Sequence, residues 1–76
     1  MKTLKDLEAM KTQKSAVFGN AYEFLMERLA DYYVSKIDGE NRIKAELSEW
    51  DTEAKQAIIQ EVGIRVKGMG LQDFAL

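Results

Sequence analysis

Neither cysteine nor histidine occurs among the 76 residues. The first absence excludes disulfides and thiolate metal ligands. The second leaves any zinc to carboxylates alone, an unusual ligand set for that ion. Together they also remove the commonest catalytic base and the most reactive nucleophile. A serine or threonine nucleophile needs an oriented base beside it, and here only lysine or a carboxylate could serve. Ser15, Ser35 and Ser48 fall at expected caps or surface positions. The chain is therefore expected to be non-enzymatic and to need no cofactor. Proline is absent too, and glycine is confined to positions 19, 39, 63, 68 and 70, which become the natural punctuation. Apolar runs stop at three or four residues, far short of the roughly 20 needed to span a bilayer. No apolar segment follows the opening Met1-Lys2-Thr3-Leu4-Lys5-Asp6, so an export signal is not expected and the cytoplasm is the expected location.

Hydrophobic residues make up 46% and charged residues 32%, the balance of a folded, water-facing domain rather than a disordered tail. A single domain this short buries only about 60% of the surface its unfolded chain exposes. Without disulfides or a metal, association with another chain is the remaining source of extra stability. The net charge of −2 disfavours direct nucleic-acid contact, which draws most of its affinity from basic groups. Residues 1–14 carry four lysines against Asp6 and Glu8, whereas residues 15–61 carry five basic and ten acidic groups.

The pattern along the chain is helical. Thr3 followed by Asp6 predicts a capping box that opens a first helix with Leu4, Leu7 and Met10 on one face. Whether that helix breaks near residues 11–15 is left open by the sequence. A central helix is expected over residues 20–37, capped by Asn20. Phe18, Ala21, Tyr22, Leu25, Leu29, Tyr32 and Tyr33 share its main face at 100° per residue. Asp38-Gly39 is expected to end it, with glycine in the left-handed conformation. The Glu40–Lys44 spacing supports a short helix through Ile43 and Leu47. Ser48 to Glu53 is rich in caps and early acids and starts a last helix, with Ala54, Ile58 and Val62 as its inward stripe and Asp51–Lys55 and Glu61–Arg65 as favourable pairs. A strand over residues 64–67 is the competing reading, because those residues alternate. The expected fold is all-α, a small three- to four-helix bundle completed by self-association.

That last element follows from the central helix. Val17 and Phe24 extend its apolar surface on one flank, and Met26, Ala30 and Ile37 on the other, to about 240° in all. A helix so widely apolar belongs at the centre of a bundle or between chains. Val17, Phe24 and Met26, with Met69, Leu71 and Phe74 of the C-terminal tail, are the expected partner-binding residues. The partner is a protein or a second copy of the chain. The polar seam offers a different role, since Glu23, Glu27 and Asp31 stand one turn apart. Their spacing of roughly 5–6 Å is near that of strand phosphates, so the row could imitate DNA before a DNA-binding protein. It lacks the histidine-bearing pattern of a di-metal helix bundle. Gly68-Met69-Gly70 has neither a preceding strand nor a third glycine and does not form a phosphate cradle.

Thr52, Ala57-Ile58-Ile59, and Gly68-Met69-Gly70 leading into Leu71-Gln72-Asp73-Phe74-Ala75 together resemble the first helix and turn of a helix-turn-helix unit. The resemblance covers roughly 25 residues and implies a DNA-linked regulator. The resemblance reaches only the turn, so a recognition helix that would enter the groove is not expected within residues 1–76.

Overall fold

The computed structural model describes residues 1–15, 19–35 and 37–70. Among these, four helices surround one core: α1 (Leu4–Met10), α2 (Ala21–Val34), α3 (Gly39–Leu47) and α4 (Thr52–Gly68). The helical class expected from periodicity therefore holds. None of the helices, among the described residues, is long and apolar enough to cross a membrane.

The capping box at α1 is reciprocal. The Thr3 amide donates to Asp6 Oδ2 at 2.8 Å and the Asp6 amide donates to Thr3 Oγ1 at 3.4 Å. The helix stops at Met10, which settles the question left open by the sequence. Two short strands follow, β1 (Lys14–Ser15) and β2 (Gly19–Asn20), paired antiparallel with Lys14 opposite Asn20 and Ser15 opposite Gly19. Periodicity cannot reveal strands of two residues. Gly19 sits at φ +78°, a conformation glycine adopts without steric cost. The ladder turns the chain so that α2 starts beside α1, and Asn20 Oδ1 accepts from the Glu23 amide at 2.7 Å.

Helix α2 is central and packs against α1, α3 and α4. Leu25, Met26, Leu29 and Ala30 are all buried. This corrects the expectation for Met26. It belongs to the core of the single chain and offers no surface to a partner, because three neighbouring helices close around a wider arc of α2 than one face. The argument that a lone chain cannot cover this helix fails for Met26 and Ala30 alike. Phe18 lies outside the described residues, and Tyr22, Tyr32 and Tyr33 pack partly buried against the core.

The junction of α2 and α3 also differs from expectation. Helix α2 ends at Val34, and the left-handed residue is Asp38 at φ +61°, not Gly39. Gly39 is buried at the first turn of α3, where an added Cβ would overlap the Tyr32 carbonyl. Its role is close approach between two helices. The Lys44–Glu40 pair forms, at 3.1 Å.

Between α3 and α4 the chain is held by the N-terminus. The Lys2 amide donates to the Glu49 carbonyl at 2.9 Å, and the Asp51 amide donates to the Lys2 carbonyl at 2.8 Å. Asp51 caps α4 by accepting from the Ala54 amide at 2.9 Å, so its carboxylate serves the helix end rather than Lys55. Ala54, Ile58, Val62 and Val66 form the buried stripe of α4. The helix runs through Gly63 to Gly68, which rules out a strand over residues 64–67.

Candidate docking surface

With the core closed, the question is what α2 and α3 leave outside. On α2, Phe24, Arg28 and Tyr32 follow at intervals of four residues and so lie in one row. The Arg28 guanidinium stands 5.7 Å from the centre of the Phe24 ring. Arg42, from α3, stands 5.6 Å from the centre of the Tyr32 ring. Arg28 also donates through Nη2 to Glu46 Oε1 of α3. Aromatic rings and guanidinium groups thus alternate along the α2–α3 edge. Cation–π contacts at exposed sites contribute about 0.5–1 kcal/mol each, which favours these side-chain positions without fixing them.

A groove of about 410 Å³ runs between the two helices along this row, lined by Arg28, Tyr32, Arg42, Ala45, Glu46 and Glu49. Glu46 is its most buried acid. Burial raises its pKa above the ordinary value, the neighbouring Glu49 carboxylate adds to the rise, and Arg28 opposes it. The Arg42 guanidinium makes no hydrogen bond or ion pair among the described residues beyond its place over Tyr32. Glu49 has Lys2 Nζ at 4.0 Å, the outer limit of an ion pair. The groove therefore carries an accessible cation at one end, a neutralised pair at its middle and an accessible anion at the other end.

The opposite side of α2 is tied to α4. Arg65 Nη2 donates to Glu23 Oε2 at 2.8 Å and its Nε donates to Glu61 Oε2 at 3.3 Å. The Tyr22 hydroxyl donates to Glu61 Oε1 at 3.3 Å. Burial works against the Arg65 charge, but Glu23 and Glu61 outweigh it and raise its pKa. Burial and Glu61 raise that of Tyr22. The acidic row is thus divided. Glu23 is engaged across the helix interface, whereas the Glu27 and Asp31 carboxylates are exposed without a hydrogen-bonded or ionic partner among the described residues. The sequence could not show this, because Arg65 lies 42 positions away from Glu23.

Of the expected partner-binding residues, Phe24 is exposed (43%) and Met69 half-exposed at the C-cap of α4. They stand on different helices. Met26 is buried, and Val17, Leu71 and Phe74 lie outside the described residues, as does the second half of the helix-turn-helix resemblance. Ile37, expected on the second flank, is 81% exposed beyond the end of α2. Arg28, Tyr32, Arg42 and Glu46 were not expected as a site. The i, i+4, i+8 order of Phe24, Arg28 and Tyr32 was a usable signal for half of it.

A second groove, of about 760 Å³, lies beside α1 and is bordered by Met1, Lys2, Met10, Gln13 and Trp50. Trp50 is 1% exposed, Lys2 Nζ stands 5.1 Å from its ring centre, and its Nε1 has no hydrogen-bond partner among the described residues. No set of three or more acidic side chains among the described residues is placed to hold a metal ion. Comparison of the chain with family models, with curated proteins and with solved structures finds no match.

Proposed function

We propose that the chain is a small non-enzymatic interaction module that works by docking the exposed face of α2 on a protein, a second copy of itself included. The observation that carries this reading is the placement of Phe24. It is exposed in the first turn of α2 although Leu25, Met26, Leu29 and Ala30 of the same helix are buried, and it stands in one row with Arg28 and Tyr32. Single exposed apolar residues are ordinary on protein surfaces. A row of aromatic and arginine side chains in mutual contact is less so, since these are the residue types that concentrate binding energy at interfaces. In this reading association adds to a bundle whose core one chain already closes, and the setting is the cytoplasm.

The acidic row supports a second role less well, because Glu23 is spent on Arg65. The two roles separate in one binding experiment, followed by light scattering for self-association or by titration with a partner. Phe24→Ser is expected to weaken association by about tenfold or more. Changing Glu23, Glu27 and Asp31 together to their amides is expected to alter it only a few-fold, and added salt to weaken it little. A phosphate-imitating surface gives the reverse: sensitivity to the amides and to salt, indifference to Phe24.

A further inference from the structure

We infer that the α2–α3 groove is the contact between two copies of this chain, packed antiparallel about a two-fold axis at the level of Arg28 and Glu46. The inference rests on the docking role proposed for Phe24 and names its partner. Its argument is the order of charge along the groove. Helix α3 runs antiparallel to α2, since Arg42 lies over Tyr32 and Glu46 lies against Arg28. Arg42, Glu46 and Glu49 therefore follow one another along the groove, with the Arg28–Glu46 pair near its middle. A two-fold axis through that middle brings Arg42 of each copy opposite Glu49 of the other. The same operation sets each Phe24 opposite Tyr32 of the other copy, four residues being about 6 Å along a helix on either side of the axis.

A partner of one sign does not suit this groove. An acidic surface meets Glu49 at one end and a basic surface meets Arg42 at the other, and like charges placed together cost binding. The surface complementary to a strip ordered plus, neutral, minus is the same strip reversed. A two-fold contact supplies that reversal and repeats every pairing twice. Glu27 and Asp31 lie on the far side of Phe24 from the groove and remain at the rim. The exposed face is about 21 Å long, the length of a 14-residue helix, and two helices wide. Such a face is at the low end of specific interfaces, so a micromolar dissociation constant is expected.

Charge reversal in sedimentation equilibrium tests the pairing. Wild type is expected to reach twice its chain mass of 8.7 kDa at concentrations up to several hundred micromolar. Arg42→Glu and Glu49→Arg each create two like-charge meetings and are expected to weaken the dimer by about tenfold or more. At concentrations a few-fold above the wild-type dissociation constant, an equimolar mixture of the two variants restores both pairings and is expected to recover dimer mass that neither variant reaches alone. Circular dichroism of each variant checks that helicity is kept. A monomeric wild type overturns the inference while leaving the docking role to a different protein, tested by Phe24→Ser. A dimer indifferent to both reversals places the contact on another face and also overturns it. Variants that stay monomeric when mixed, though folded, show that Arg42 and Glu49 do not meet, and the inference falls in the same way.

Discussion

At positions 38 and 39 the order of two residues decides whether α2 and α3 can pack. Asp38 takes the left-handed conformation, at a cost of about 1 kcal/mol for a residue with a side chain, partly offset by its hydrogen bond from Asn41 Nδ2 at 2.7 Å. Gly39 takes the crowded place against the Tyr32 carbonyl. Substitutions at the two sites are therefore expected to diverge. Asp38→Gly should leave stability within about 1 kcal/mol of wild type, relief of strain opposing lost chain stiffness. Gly39→Ala should cost about 1–3 kcal/mol or more, because the new methyl meets backbone that cannot move without separating the helices. Urea unfolding of both variants checks the contrast, and equal costs would mean that the turn rather than the close approach is limiting. Glu46 gives a second expectation, in pH. Its folded-state pKa is raised, burial first and Glu49 next, so the folded chain holds this proton more tightly than the unfolded chain. Stability from this group is present below the ordinary carboxyl range and is lost as pH rises through the interval up to the raised value. Glu46→Gln keeps an acceptor for Arg28 and removes the titration. Its stability relative to wild type should therefore increase as pH rises through that interval, measured by urea midpoints at several pH values. A difference of the opposite slope would show that the Arg28 pairing outweighs burial.

Among the elements, α2 and α4 hold most of the core, and their buried stripes set the scale of its stability. Leu29 is fully buried at the centre of α2, and Leu29→Ala is expected to cost about 2–5 kcal/mol. Met26→Ala should fall in the same range. A cost near zero for Met26→Ala would return that residue to the surface role expected from periodicity alone. The stripes and two of the caps were legible in the sequence because their information is local: Thr3 with Asp6, Asn20 with Glu23, and the four-residue spacing of Ala54, Ile58 and Val62. The cap-rich run 48–53 announced α4, but its spacing assigned Asp51 to Lys55 rather than to the Ala54 amide. What was not legible depends on partners distant in the chain. Nothing near Lys2 announces that it pairs with Glu49 and Asp51. Nothing near Arg28 announces Glu46, and nothing near Arg65 announces Glu23. Met26 was misplaced for the same reason. Periodicity gives the angle of a residue around its helix but not the number of helices that will pack on that helix. The candidate site was half legible, since Phe24 was singled out by its angle while Arg42 and Glu49 entered only through the packing of α3.

For the whole molecule, the closed core changes what association can contribute. Had α2 been covered only by a second chain, dilution would unfold the protein, and monomer and dimer would not be separable. Instead one chain already buries Leu25, Met26, Leu29 and Ala30, so the monomer is expected to keep its helicity at low concentration. Association then adds to a folded state by mass action, as any ligand of the native form does. At chain concentrations about tenfold above the dissociation constant the gain is about 1.4 kcal/mol. In a domain of this size that raises the melting temperature by about 5 °C or more. Thermal unfolding followed by circular dichroism at about 2 and 200 μM, a range that brackets a micromolar constant, should therefore show Tm rising with concentration in wild type. It should show a smaller rise in Arg42→Glu, whose core is unchanged but whose groove repels its copy. The low-concentration Tm values of the two proteins should agree within a few degrees, because Arg42 contributes to the monomer only its contact with the Tyr32 ring. Loss of helicity in wild type on dilution would place α2 between chains after all, and equal concentration dependence in both proteins would take the second copy away from the α2–α3 groove.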